Sequence, residues 1–130
     1  MEAGHLFDGP AQADATRRFL NDPNHHVLVA YADGKAVGFV SGVELTHPDK
    51  GTEMFLYELA VDEAYRKLGI GTSLAGALRD LATSRGCYDM WVLTDEDNEA
   101  ALSTYRKSGA TESSTHVMVT WPLKHDPSRG

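Results

Sequence analysis

The chain has 130 residues, 42% of them hydrophobic, with 19 acidic against 12 basic side chains and a net charge of −7. One globular domain is expected over residues 1–130, with its ordered core at about 12–122, and the composition excludes a disordered chain. The acidic balance argues against nucleic acid as a partner, no apolar run approaches a membrane span, and the lone Cys87 excludes an internal disulfide.

The start, Met-Glu-Ala-Gly-His, lacks a basic segment followed by an apolar one, so no signal peptide is visible and the cytoplasm is the expected compartment. The negative charge suits solubility, and it equally suits a cationic small-molecule partner.

Met1 to Ala11 shows no period. Gln12 to Leu20 reads as a short helix with Ala15, Phe19 and Leu20 on one face and Asn21-Asp22-Pro23 as its stop. His26 to Tyr31 reads as a strand, Asp33-Gly34 as a hairpin turn, and Ala36 to Leu45 as a second strand. Gly38 and Gly42 in that strand mark a bulge or a close packing contact. Thr46 to Thr52 is a loop, and Glu53 to Val61 a third strand. Thr72 to Arg85 carries Leu74, Leu78, Leu81 and Ala82 on one helical face, with Gly86 at the C-cap. Tyr88 to Thr94 is a strand. Asn98 is an N-cap candidate for a helix through Ser108, with Gly109 past its end. Ser113 to Trp121 alternates Thr115, Val117, Val119 and Trp121 against other residues and reads as a final strand, with a polar tail beyond Pro122. The order predicts a mixed α/β domain.

The stretch from Met54 to Gly71 is the chemical centre of the chain. An apolar strand runs into the turn Arg66-Lys67-Leu68-Gly69-Ile70-Gly71, and a helix follows. Glycines let backbone N–H groups approach a ligand closely, and a helix N-terminus offers unpaired donors and a positive dipole end. Together these predict an anion site, most naturally for phosphate. The Walker loop's Gly-Lys-Ser/Thr is absent, and the third glycine of a dinucleotide fingerprint is replaced by Leu74.

Arg-x-x-Gly-x-Gly after a strand ending Leu-Ala-Val-Asp resembles the acetyl-CoA site of the GCN5-related N-acetyltransferase superfamily. Asn98-x-x-Ala101-x-x-x-Tyr105-x-x-x-Gly109 is similar to that superfamily's second cofactor segment, and the resemblance covers roughly Val27 to Gly109. Within the superfamily, Tyr57-Glu58-Leu59-Ala60-Val61 resembles the Tyr-Asp-Leu-Ala-Val of aminoglycoside 3-N-acetyltransferases. Three departures stand out. Only eleven residues precede Gln12, so the usual first strand is hard to find. Leu68 replaces the Gln, Arg or Gly common before the first glycine, and Glu58 stands where an aspartate is usual.

The resemblance implies a mixed, largely antiparallel sheet flanked by helices, and acetyl-CoA as cofactor. It implies that the cofactor's pyrophosphate rests on the N–H groups of Lys67, Leu68, Gly69, Ile70, Gly71 and Thr72, with Arg66 or Lys67 adding charge. The pantetheine arm would pair with Leu59, Ala60 and Val61 like an added strand, and Asn98 and Ala101 complete the cofactor set. Glu58 becomes the candidate general base for an ammonium, directly or through water, and Tyr105 the candidate acid for the leaving thiolate. The same residues have plainer readings: Glu58 as a solvent-facing side chain sharing a face with Leu56 and Ala60, Tyr105 as a packing residue.

Asp95-Glu96-Asp97, before the last helix, could hold the amines of a polyamine or aminoglycoside, or simply stabilise a helix N-terminus. His47, in the loop before the third strand, is a candidate substrate contact or a surface histidine. Cys87 reads better as a small buried hydrophobe than as a nucleophile, and the six histidines show no metal spacing. The resemblance implies acetyl transfer from acetyl-CoA to a primary amine of an aminoglycoside, at its 3-N position, with another small-molecule or protein amine as the alternative and a non-catalytic acyl-CoA-binding module as the reading from another class. A homodimer is compatible with either.

Overall fold

The computed structural model describes residues 4–6 and 12–124. Helix α1 (Ala13–Asn21) leads into strands β1 (His25–Ala32), β2 (Lys35–His47) and β3 (Gly51–Val61). Helix α2 (Ile70–Ser84), strand β4 (Asp89–Trp91) and helix α3 (Glu99–Lys107) complete the order. The sheet runs β1-β2-β3-β4, antiparallel through the first three strands and parallel between β3 and β4. The mixed α/β architecture expected from the sequence is observed. No strand precedes α1 among the described residues.

The core lies between the sheet and α2. Leu74, Ala75, Leu78 and Ala82 recur at helical spacing and pack on Val40, Met54 and Leu56. Gly38 and Gly42 are what let α2 sit this close. A Cβ at Gly38 would come within 3.1 Å of Leu74 Cδ1, and one at Gly42 within 3.0 Å of Leu78 and of the Met54 sulfur. Both expectations for these glycines hold, because the β2–β3 register also shifts between Ser41 and Gly42. Gly86, at φ +80°, ends α2 in a left-handed turn. Cys87 N–H bonds to Ala82 O at 3.0 Å and Gly86 N–H to Thr83 O at 3.1 Å.

Several boundaries move. The loop between the second and third strands contracts to a tight turn, since β2 runs to His47 and β3 starts at Gly51. Strand β4 holds only Asp89–Trp91, where Tyr88 to Thr94 was expected. Helix α1 buries none of its residues, and Leu20 is exposed. The largest correction is the final strand. Ser113 to Trp121 forms no strand and pairs with none among the described residues, and Val117, Met118, Val119 and Trp121 face solvent. Alternation specifies a chain that can become a strand, but the segment makes no ladder with the β4 edge or any other strand among the described residues.

Candidate functional site

Strand β3 changes surroundings halfway along. Glu53, Met54 and Phe55 pair with β4 on one side and β2 on the other. Beyond Phe55 the β4 chain departs, and no strand pairs the β4 side of Leu59 to Val61 among the described residues. At Tyr57 the strand also bulges: Leu56 opposes Gly42 and Glu58 opposes Ser41, leaving Tyr57 as the extra residue.

That bulge corrects the expected faces. Leu56 packs in the α2 core, and so do Leu59 and Val61. Period two then puts Glu58 and Ala60 on the other face, the side of Phe55 and Tyr57, and not with Leu56. Glu58 is half-buried there, and its N–H donates to Ser41 Oγ at 3.2 Å.

The N-terminus of α2 arrives beside this bare strand edge. A Cβ at Gly71 would lie 3.7 Å from Leu59, 3.8 Å from Val61 and 3.5 Å from Thr104 of α3, so three elements meet at one point. The first intrahelical bond runs from Ser73 N–H to Gly69 O at 3.0 Å, which leaves Ile70, Gly71 and Thr72 without intrahelical acceptors. Gly69 caps the helix at φ +83°, and nothing lies within 4 Å of where its Cβ would stand. Lys67 is left-handed too, at φ +67°. Such alternation turns successive N–H groups toward a common concavity, and the open space at Gly69 fits a phosphate there. Arg66 is committed differently: its Nε donates to Val61 O at 3.1 Å, while Lys67 stays exposed at the turn.

Tyr105 approaches from α3. It packs against the core cluster and lines a cavity of about 400 Å³ together with Leu56, Ala75, Trp91 and Val92. Burial pushes its phenol up from the ordinary value, so the hydroxyl holds its proton. Its backbone is pinned as well. Gly109, at φ +116°, closes α3, and Ala110 N–H bonds to Tyr105 O at 3.0 Å. Arg79 of α2 donates to Ser108 O at 2.5 Å and ties the two helices together.

The second motif is structural in part. The Asn98 side chain accepts from Ala101 N–H at 3.1 Å, capping α3. Asp95, Glu96 and Asp97 are exposed in the loop between β4 and α3, and Thr115 Oγ1 donates to Glu96 at 3.5 Å. His47 does not join the site. It closes the β2–β3 turn in contact with Asp49, opposite Gly51, and Gly51 to Leu56 of β3 separates it from the splay by roughly 17 Å. Cys87 is half-buried, and burial with the Glu44 charge raises its thiol, which fits a packing role.

Sequence reading missed Trp91 and Arg79. Trp91 stacks on Phe55 with ring centres 4.3 Å apart, at the point where β4 leaves β3. Its aromatic character at a strand end was the available signal; Arg79, on the polar side of α2, gave none.

Among the described residues no group of three or more His, Cys, Asp or Glu side chains could hold a metal ion, and no helix is long and apolar enough to cross a membrane. A sheet that splays beside a left-handed glycine and an open helix N-terminus leaves backbone donors of the kind an anion could accept from. The chain belongs to the acetyltransferase (GNAT) family, whose model matches residues 3–110. Enzymes of this family use acetyl-CoA. Among solved structures, the chain resembles the aminoglycoside acetyltransferase meta-AAC0020 from an uncultured soil metagenomic sample, in complex with trehalose: TM-score 0.81, 27% identity, covering 95% of this chain and 83% of that one. The same enzyme in complex with sisomicin matches with a TM-score of 0.81 at 28% identity, over 91% of this chain and 78% of that one. Among curated relatives, mycothiol acetyltransferase of Salinispora arenicola is 39% identical over 68% of this chain, and spermidine N(1)-acetyltransferase of Escherichia coli is 27% identical over 81%. The chain spans 29% of the first relative's length and 58% of the second's.

Proposed function

We propose that this chain transfers the acetyl group of acetyl-CoA to a primary amine of a polycationic small molecule, an aminoglycoside at its 3-amino position. The observation that carries the cofactor half is the unpaired β4 side of Leu59 to Val61 beside the α2 N-terminus. A pantetheine amide could add there as a strand would, while the N–H groups of Gly69 to Thr72 take the pyrophosphate with Lys67. The Val61 carbonyl already accepts from Arg66, so pairing at that atom requires the guanidinium to move.

Acetyl-CoA supplies the activated acyl group. Glu58 takes the proton that an ammonium must lose before it can attack, directly or through one water. Tyr105, held protonated by burial, donates to the departing thiolate. The two groups belong to opposite faces of β3, one on each side of the bare edge. Asp95, Glu96 and Asp97, exposed where β4 ends, hold further cationic amines of the acceptor.

The resemblance to meta-AAC0020, solved with sisomicin, supports the aminoglycoside. Relatedness to a spermidine acetyltransferase favours a second reading, a polyamine acceptor in the same acidic loop. A screen of thiol release from acetyl-CoA across aminoglycosides, polyamines and peptides separates these. Acetylation of an aminoglycoside 3-amine is expected, assigned by NMR of the product. Release with polyamines alone would favour the second reading, and no release with any amine would leave a non-catalytic acyl-CoA-binding module.

A further inference from the structure

The cavity of about 400 Å³ beside Tyr105 is larger than acetyl transfer requires. An acetyl group has three heavy atoms; at about 30 Å³ for each, a water's share of the liquid, it fills roughly a quarter of that space. The cavity starts where the two strands part. Leu56 is the first residue of β3 past the last pair with β4, Phe55 with Trp91, and Val92 follows Trp91 at the end of β4. Leu56, Ala75, Met90, Val92 and Tyr105 line it, and each belongs to the α2 core cluster or packs against it. The far end lies one helical turn down α2, at Arg79 and Ser108. Ala75 to Arg79 is a depth of roughly 6 Å. Arg79 is engaged there: Nη1 donates to Ser108 O, and Nε and Nη2 donate to Asp80. Glu112 lines the same cavity.

We propose that this cavity takes the acyl group of the donor thioester, so that the chain also transfers straight aliphatic acyl groups of about four to six carbons from their CoA thioesters. This rests on the cofactor reading above. With the pyrophosphate on the α2 N-terminus beside Val61 and the pantetheine along the bare edge, the thioester reaches Leu56 and Val92, the mouth of the cavity. The carbonyl carbon stays at the splay and the hydrocarbon turns in past Tyr105. The step balances as acetyl transfer does. A bond forms from amine nitrogen to carbonyl carbon, the carbon–sulfur bond breaks, Glu58 takes the amine's proton and Tyr105 supplies one to the thiolate. At no more than about 1.5 Å per C–C bond, a depth of ~6 Å takes at least four bonds. Each methylene buried on these apolar walls strengthens binding roughly fourfold, until the chain meets Arg79. An acyl chain ending in a carboxylate finds no counter-ion, because Asp80 already pairs with Arg79 and Glu112 has the same sign.

Calorimetric titration with acetyl-, butyryl-, hexanoyl- and succinyl-CoA, and thiol release from each with an amine that accepts acetyl, test this. Butyryl-CoA is expected to bind about tenfold tighter than acetyl-CoA and to react with a kcat/KM at least as high. Succinyl-CoA, of the same carbon number, should bind at least about tenfold more weakly than butyryl-CoA. Ala75→Leu and, separately, Val92→Phe at a half-buried position should fill the cavity. Each should lower the butyryl-to-acetyl preference, in Kd and in kcat/KM, by roughly tenfold or more. A ratio taken within one protein is indifferent to how much of it folds, so only loss of the acyl space moves it. Acetyl-CoA that binds and reacts while butyryl-CoA does neither overturns the proposal and leaves the cofactor reading standing. So does a preference unmoved in both variants, or succinyl-CoA favoured over butyryl-CoA. A chain that binds no CoA thioester overturns both.

Discussion

Two halves of one strand divide this molecule. Gly51 to Phe55 of β3 is a closed structure: β2 pairs it on one side, β4 lies beside Glu53 to Phe55 on the other, and Trp91 stacks on Phe55. Leu56 to Val61 is open on the β4 side, bulged at Tyr57, and met by the N-terminus of α2. The same contrast recurs in the glutamates. Glu44, at the closed end, bonds His26 Nε2 at 2.6 Å and pairs with Arg85. Burial works to raise its pKa, but the bonds from His26 and Arg85 together outweigh that, and the carboxyl is held below its ordinary value. Glu58, at the open end, is half-buried on the Phe55 and Tyr57 side of β3, its N–H donating to Ser41 Oγ. A site begins where the ladder stops, because that is where backbone donors and acceptors are left for something other than protein.

The sharpest way to break the comparison is to neutralise both glutamates separately. Glu58→Gln should lower kcat by roughly two orders of magnitude or more and alter the low-pH limb of the rate profile. Glu44→Gln should leave kcat alone and lower Tm by roughly 3–6 °C, the shift that about 1 kcal/mol produces at this size. The Glu44 pKa is depressed in the folded state. Its contribution is therefore present above the ordinary carboxylate range and lost as pH falls through and below it, and the gap in Tm between the two proteins should close in acid. Exchanged outcomes would mean the halves are assigned the wrong way round.

A smaller effect is expected at the cavity. Tyr105→Phe keeps the ring and removes the proton, so kcat should fall about tenfold or more with little change in either KM. Because burial raises the phenol pKa, wild-type activity should lose nothing from this group until above roughly pH 10. A kcat within twofold of wild type makes Tyr105 a packing residue.

The smallest effect belongs to the acidic loop. Asp95→Asn with Asp97→Asn should raise KM for a polycationic amine several-fold at unchanged kcat, since exposed acids bind ground and transition states alike. The difference should shrink at high salt and be absent for a monocationic amine. If a confirmed polycation shows no change, these acids serve only the N-terminus of α3.

Much of the fold was legible because local chemistry and tertiary outcome agree. Gly86 and Gly109 stop α2 and α3 through left-handed turns, Asn98 caps α3, and Leu74, Leu78 and Ala82 face the sheet. What escaped depends on partners distant in the chain. The Tyr57 bulge is a property of register between β2 and β3, so period two assigned Glu58 to the wrong face. His47 lies near the third strand in sequence, but a hairpin sends it to the closed end. The pattern of 113–121 suits a strand, but pairing is not local, and no strand forms there among the described residues. The Gly-x-Gly turn was readable because its requirement, a left-handed residue and an open helix start, is local.

Hydrogen exchange with and without acetyl-CoA tests the open half most directly. Slowed exchange is expected at Leu59 to Val61 and Lys67 to Thr72, with Gly51 to Phe55 unchanged. Protection confined to the closed half of β3, or none anywhere at saturating cofactor, would contradict the placement of the site at the splay.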